Sequence, residues 1–380
     1  MLGWGRSPML LDLYVPTRTA TSLQARVRAS EGGPVELRLG EILVRLTAPR
    51  LSDRGVHFYA HTFEGLPSAT PLRLEVRHER SGGVVSFSTS TLEAPPGRVK
   101  LRVGIVADLH LSTERAPIDR YAAGTKRLYG LAHELGRRYL PRLQSLGAEA
   151  IVLPGDLVDP CLPETLIALG EILRGPSVPC YPIIGNHEPW STGGEVLFYE
   201  YLGLPHGGYQ VVRGDGVRLI LLSTPTPDSL VAGRNQLRWQ ERQLADAGDD
   251  EDVAVFSHFS LLLHPCVQGA KNDGYQLLDN HRELLDLLAG SPRVRLFAAG
   301  HKNVPSKLVH RGIVHLLSPQ LIQAPCGYDM VTFYEGGLGR TTWEIDEQHY
   351  CEVARSAYQR SWPERYGRED DRNFVHPYRS

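Results

Sequence analysis

Val103-Gly104-Ile105-Val106-Ala107-Asp108-Leu109-His110 is an apolar run that stops in a carboxylate and an imidazole. Five small or β-branched residues are too few for a helix and suit a buried strand. The same pattern returns downstream. Ala150–Leu153 runs into Gly155-Asp156-Leu157-Val158-Asp159, and Tyr181–Ile184 into Gly185-Asn186-His187-Glu188. Val253–Phe256 runs into Ser257-His258, and Arg295–Ala298 into Gly300-His301-Lys302-Asn303. Leu219–Leu222 and Val314–Leu317 read as two further strands. Between them, Lys126–Leu146, Pro163–Leu173, Asn235–Ala245 and Asn280–Leu288 have helical length and amphipathic spacing. Strands alternating with crossover helices predict a layered α/β domain. Ligands of such domains bind beyond the carboxyl ends of the strands. The five polar endings are therefore expected to meet on one rim, although Asp108 and Asn303 lie far apart in sequence.

Upstream, from Leu10 to Leu92, the texture is different. Leu23-Gln24-Ala25-Arg26-Val27-Arg28, Val35-Glu36-Leu37-Arg38-Leu39 and Leu72-Arg73-Leu74-Glu75-Val76-Arg77 alternate with period two. That is the signature of strands with one face buried and one wet. Turns such as Glu31-Gly32-Gly33-Pro34 and Ser81-Gly82-Gly83 separate them. About six or seven strands without helices predict a β-sandwich of fibronectin or immunoglobulin type. Glu93-Ala94-Pro95-Pro96-Gly97 reads as a stiff linker. Residues 1–97 are expected to form this first domain, 98–340 the α/β domain, and 341–380 a polar C-terminal extension carrying Trp343, Tyr350, Tyr358 and Trp362.

Composition sets the outer bounds. A chain of 380 residues exceeds one compact core, which agrees with two domains. Net charge is −2, so no general basic face is on offer to nucleic acid. No stretch approaches the apolar length of a membrane helix, and Met1–Leu11 lacks the core of a secretory signal. The five cysteines (Cys161, Cys180, Cys266, Cys326 and Cys351) are scattered and form no Cys-x-x-Cys pair. This argues against a disulfide framework or zinc-thiolate site, and a reducing, cytoplasmic setting is expected.

Asp, His and Asn together make a mixed oxygen and nitrogen donor set, suited to Mn, Fe or Zn rather than Ca or Mg alone. The set is too rich for one ion, so two divalent ions (Mn²⁺, Fe²⁺ or Zn²⁺) sharing a carboxylate are expected. Such a pair, about 3.5–4 Å apart, activates water and steadies both the attacking and leaving oxygens of a phosphoryl group. Each element alone has a plainer reading. Asp-x-His or Gly-Asp after a strand is commonly a cap or turn, and Gly-Asn tolerates positive φ. Their succession on one βα frame is what points to a metal centre.

The series Asp108-x-His110, Gly155-Asp156-x-x-Asp159, Gly185-Asn186-His187-Glu188, His258 and Gly300-His301-x-Asn303 resembles the signature of the calcineurin-like metallophosphoesterases. The resemblance covers about Leu101 to Gly337 and implies a four-layer αββα fold built on two mixed sheets. It implies that Asp108 and His110 ligate metal 1, that Asp156 bridges, and that Asn186, His258 and His301 complete metal 2. His187 would face the phosphate and serve the leaving oxygen, with Asp159 holding its ring. Glu188 stands where many members carry Asp. Asn303 departs from the pattern, since phosphodiesterase-like members have a second histidine there. It is either an amide ligand of metal 1 or a turn residue without metal contact. Protein phosphatases carry Arg-Gly after the second motif, whereas this chain has Pro160-Cys161. No tyrosine falls where purple acid phosphatases bind iron.

The resemblance thus implies a phosphoesterase in which a metal-bound hydroxide attacks a phosphodiester or a small phosphate ester. A scaffold protein that has lost metal 1, or a nuclease, are the alternatives. His206, His264, His281, His310 and His315 lie near the motifs and are expected in core or surface roles. His264 and Tyr275 are candidates to line the cleft. Lys302 is a candidate phosphate contact, and Trp190 either covers the cleft or packs, packing being the expected role.

Overall fold

The computed structural model describes residues 11–53, 55–113, 127–205, 207–224, 233–265, 277–347, 350–351 and 366–378. His206, Tyr275, Cys266, Tyr358 and Trp362 lie outside them.

Among the described residues, eight strands form the N-terminal region: β1 (Leu11–Arg18), β2 (Leu23–Ala29), β3 (Val35–Leu39), β4 (Ile42–Leu46), β5 (Leu51–Asp53), β6 (Val56–Phe63), β7 (Pro71–His78) and β8 (Val84–Ser90). They pair in two antiparallel sheets, β1-β2-β6-β5 and β4-β3-β7-β8. In β3, Val35, Leu37 and Leu39 point inward while Glu36 and Arg38 do not, as the period-two pattern requires. Leu23, Ala25, Val27, Leu37, Tyr59, Leu74 and Val76 fill the space between the sheets.

The remaining elements build two mixed six-stranded sheets. The first has the order β11 (Cys180–Ile183), β10 (Ala150–Pro154), β9 (Val99–Ile105), β18 (Gly327–Tyr334), β19 (Gly337–Glu344), β20 (Asn373–Pro377). The second has the order β12 (Gln210–Gly214), β13 (Val217–Leu221), β14 (Asp252–Ser257), β15 (Val294–Ala299), β17 (Ile313–Leu317), β16 (Ser306–His310). Val103, Val152, Leu219, Phe256, Ala298, Leu316 and Val331 pack between the two sheets. Helices α1 (Ala132–Ser145), α2 (Pro163–Leu173) and α4 (Gly194–Leu202) cover the outside of the first through Leu135, Leu140, Leu166, Leu169 and Phe198. On the second, α5 (Arg234–Ala245) and α6 (His281–Ala289) set Leu237, Leu244, Leu284 and Leu288 against Val253, Val255 and Phe297. Both faces of the central strands are buried, which is why they read as continuous apolar runs. Each fully buried Leu or Phe contributes about 1.5–3 kcal/mol. The result is the expected helix–sheet–sheet–helix arrangement, preceded by an all-β region.

Three segments depart from the sequence reading. Of the helix expected over Lys126–Leu146, Lys126 lies outside the described residues, and among those described the helix begins at Ala132, after a 3₁₀ turn over Tyr129–Leu131. Helix α4 was not anticipated, because Val196, Phe198, Tyr199 and Tyr201 carry strand-like preferences. Packing on α2 and on the short α3 (His187–Trp190) makes it helical, and Gly203 at φ +64° closes it. The polar stretch after Thr341 also holds sheet: β19 runs on to Glu344, and β20 pairs with it antiparallel from Asn373 to Pro377. A four-residue helix, α7 (Glu369–Arg372), leads into β20.

The β region docks on this C-terminal edge. Thr17 Oγ1 donates to the Thr342 carbonyl at 2.9 Å, while Arg372 and Asn373 donate to the Pro16 carbonyl at 3.1 and 3.0 Å. Arg26, 1% exposed, donates to the Ile345 carbonyl at 3.0 Å and lies 3.4 Å from the Glu344 carboxylate.

Candidate metal centre

Every polar ending follows the C-terminus of its strand. Asp108 and His110 come after β9, Asp156 and Asp159 after β10, and Asn186 and His187 open α3 beyond β11. His258 follows β14, and His301 with Asn303 follows β15. The two sheets therefore present their carboxyl ends to one place. Two glycines show how tightly. A Cβ on Gly185 would lie 2.3 Å from the Asp156 carboxylate, and one on Gly300 would lie 2.5 Å from that of Asp108. Only glycine lets these backbones approach so closely.

The contacts run in a continuous chain. The His301 amide donates to both Asp108 oxygens at 2.9 and 3.1 Å. His301 Nδ1 is 3.2 Å from His258 Nε2. His258 Nε2 is 3.0 Å from Asn186 Oδ1 and 3.3 Å from Asp156 Oδ1. His258 Nδ1 donates to the Pro154 carbonyl at 2.8 Å, which turns Nε2 inward. On the other side, His110 Nε2 lies 3.8 Å from Asp156 and 4.0 Å from Asp108. His187 Nε2 is 3.7 Å from Asp156, and its Nδ1 is 2.9 Å from Asp159 Oδ2. Asp159 also lies 3.6 Å from His110 and accepts from the Tyr129 hydroxyl at 3.2 Å.

Asp108, His110, Asp156 and His258 are fully or nearly fully buried. Burial pushes the Asp108 carboxyl up. Burial opposes ionisation of Asp156 as well, but His258, His110 and His187 outweigh it and hold that carboxyl well below its usual range. His258 would be lowered by burial, yet Asp156 and Asp108 raise it to about 9. His110 is lowered to about 3 by burial and by the nearby Arg127.

The donors fit divalent ions. His110 Nε2 is buried without a hydrogen-bond partner, and so is Asn303 Oδ1. Such orphans are costly unless something accepts their lone pairs. Among the described residues, two groups could each hold a cation: His110, Asp156 and His187, and Asp156, His258 and His301. Asp156 belongs to both. Asn303 sits in a left-handed turn at φ +59° with Nδ2 donating to the His301 carbonyl at 3.2 Å and Oδ1 without a partner.

Residues 101–305 match the sequence pattern of the calcineurin-like phosphoesterases. The chain belongs to that family. A glycerophosphodiester phosphodiesterase, GpdQ, from Enterobacter lignolyticus is 28% identical over 206 residues, which span 49% of this chain and 68% of that protein. A dimetal phosphatase from Danio rerio superposes with a TM-score of 0.53 at 18% identity, covering 64% of this chain and 96% of that one, a likeness of fold. The chain is accordingly a calcineurin-like metallophosphoesterase, an enzyme class that acts on phosphate esters.

Several side chains were misjudged or missed in sequence. Glu188 is fully buried and accepts from the amides of Leu157 (2.5 Å), Val158 (3.2 Å) and Gly185 (2.7 Å), so it clamps two motif loops together. Trp190 does not pack inward. It is 63% exposed, with its ring centroid 4.0 Å from that of His187. His264 and His315 take the core role expected of them: both are fully buried, and His264, also a candidate for the cleft, sets Nδ1 2.9 Å from Ser306 Oγ. Arg127 had no distinguishing signal beyond its charge. It donates to the Tyr129 hydroxyl at 3.2 Å and shares its field with Asp108 and Asp156.

Proposed function

We propose that the protein hydrolyses a phosphodiester or small phosphate ester at a centre of two divalent cations drawn from Mn²⁺, Fe²⁺ and Zn²⁺. The observation that carries this reading is Asp156, common to both candidate ligand groups. Asp108, His110 and Asn303 would serve one cation, and Asn186, His258 and His301 the other; His187, which the first group also contains, would keep its Nε2 proton for the substrate and stay off the metal. Bound there, the pair would supply Lewis acidity that neutralises phosphoryl oxygens and makes water nucleophilic near neutral pH.

The chain's own groups do the rest. Asp159 Oδ2 lies 2.9 Å from His187 Nδ1, an ion-pair contact that would orient the ring, and Nε2 faces inward. His187 then delivers a proton to the departing oxygen, in the manner of a general acid oriented by a carboxylate. Arg127 adds positive charge beside Asp108 and Asp156, which favours an anionic substrate. A chain of net charge −2 offers little to a polyanion, so a small ester is preferred over nucleic acid. Dispersed cysteines support a cytoplasmic setting. The scaffold alternative rested on Asn303, and the open amide oxygen there favours retention of the ligand instead.

The test is hydrolysis of bis(p-nitrophenyl) phosphate with added Mn²⁺, alongside elemental analysis of the purified protein. Wild type should carry two ions per chain and turn over, while Asp156→Ala should lose both properties. Near wild-type turnover and metal content in Asp156→Ala would overturn the assignment.

A further inference from the structure

We propose that Trp190 forms one wall of the leaving-group subsite and selects esters whose departing alcohol carries a flat aromatic group. This rests on the phosphodiesterase reading above. His187 and Trp190 stand three apart in the four-residue helix α3, so their side chains fall on the same face. Their rings lie 4.0 Å apart and are tilted by 42°. Of the large apolar side chains exposed among the described residues, Trp190 is the most exposed, at 63%. One part of the indole thus covers the ring that serves the departing oxygen, and the rest is left open beside it.

The platform is also rigid. Glu188 ties the same helix to the loops after β10 and β11 through three amide hydrogen bonds. Ser191, the next residue, donates its N–H to the Glu188 carbonyl at 3.3 Å, and its hydroxyl accepts from the Cys161 amide at 2.9 Å. With its backbone held and one side against the His187 ring, the indole loses only part of its freedom when a second ring stacks on it. An alcohol leaving from beside His187 passes along this surface. An aliphatic alcohol gains little there, whereas an aromatic one gains a stacking partner.

The test compares kcat/KM of the Mn²⁺-loaded protein on bis(p-nitrophenyl) phosphate, a dinucleoside phosphate and glycerophosphoethanolamine, for wild type, Trp190→Leu and Trp190→Phe. Trp190→Leu should lower kcat/KM about tenfold on the aromatic esters, mainly through KM, and less than about threefold on the aliphatic one. Trp190→Phe should recover most of the aromatic preference. The larger loss between aryl and nucleoside ester identifies the natural source of the ring. A non-hydrolysable aryl phosphonate should quench tryptophan fluorescence in wild type, with the quench reduced in Trp190→Leu. Equal losses on all three esters would overturn the subsite and leave the phosphodiesterase reading standing. A wild type inert on all three diesters and on the monoester p-nitrophenyl phosphate would overturn both.

Discussion

Removing the Glu188 carboxylate tests whether the loops bearing Asp156 and Asn186 are held by one side chain. The group is fully buried and takes hydrogen bonds from the amides of Leu157, Val158 and Gly185. In Glu188→Ala all three N–H groups lose their acceptor. A buried donor without a partner costs about 1–3 kcal/mol, so the gross penalty is roughly 3–9 kcal/mol. Part is returned, because the carboxylate itself is strained by burial and by Asp156, which push its pKa up to about 7. The net local cost should sit near the lower bound, about 3 kcal/mol, or roughly 150-fold in the opening equilibrium. Amide hydrogen exchange reads this locally and avoids treating a multi-part chain as two-state. Protection of Leu157, Val158 and Gly185 should fall together by about that factor, and metal content should fall with it. Glu188→Asp keeps the charge but shortens the reach, and should fall in between. If Glu188→Ala left these three amides protected as in wild type, the clamp would be refuted.

Two further outcomes concern regions outside the centre. His264 and His315 are fully buried, and burial lowers both to about 3. Arg340 adds to the shift at His264, and His264 and His310 add to it at His315. Above the unfolded value of about 6.5 neither state is charged and stability is complete; as pH falls, only the unfolded chain gains the proton, and stability drops until about pH 3. At pH 5 each histidine should cost about 2 kcal/mol, so His315→Leu should lose markedly less melting temperature than wild type between pH 7 and pH 5. Identical pH dependence in the two proteins would remove His315 as a source. At the docking edge, Arg26→Ala strands the buried Glu344 carboxylate and should cost about 3–5 kcal/mol, seen as earlier release of the β region in limited proteolysis. Unchanged cleavage kinetics would mean that the side-chain hydrogen bonds to the Pro16 and Thr342 carbonyls suffice.

The centre was legible because buried parallel strands betray themselves as apolar runs, and their chemistry sits where each run stops. Asp108, Asp156 and His258 could be picked out on that basis before any coordinates. What stayed hidden depends on direction and on partners. Glu188 looked like a modest exchange for Asp, and nothing in its neighbours announces three amides converging on it. Trp190 looked like core because tryptophan usually is, and only the turn of α3 brings it over His187 into solvent. Strand β20 is formed by a polar segment that would not pass as a central strand; it is an edge, stabilised by pairing with β19 and by contact with the β region.

Backbone strain gives a separate reason to regard the site as prepared for its ligands. Eight described residues other than glycine have positive φ, and five of them are Asp108, His110, Asp156, His301 and Asn303. Each such conformation costs about 1–3 kcal/mol and persists only where its surroundings overdetermine it. Here the surroundings are visible. The Asp108 amide donates to the Gly155 carbonyl, His110 to Asp156, Leu111 to Leu157, and Asp159 back to Leu111. The loops after β9 and β10 are therefore zipped together beyond the ends of their strands, and the His301 amide ties the loop after β15 to Asp108. Strain gathered on donor residues and locked by neighbouring loops is hard to explain as a by-product of turning the chain, since glycine would do that at lower cost. It fits the proposal that these side chains bind cations, since atoms fixed in place beforehand leave little ordering to be done on binding.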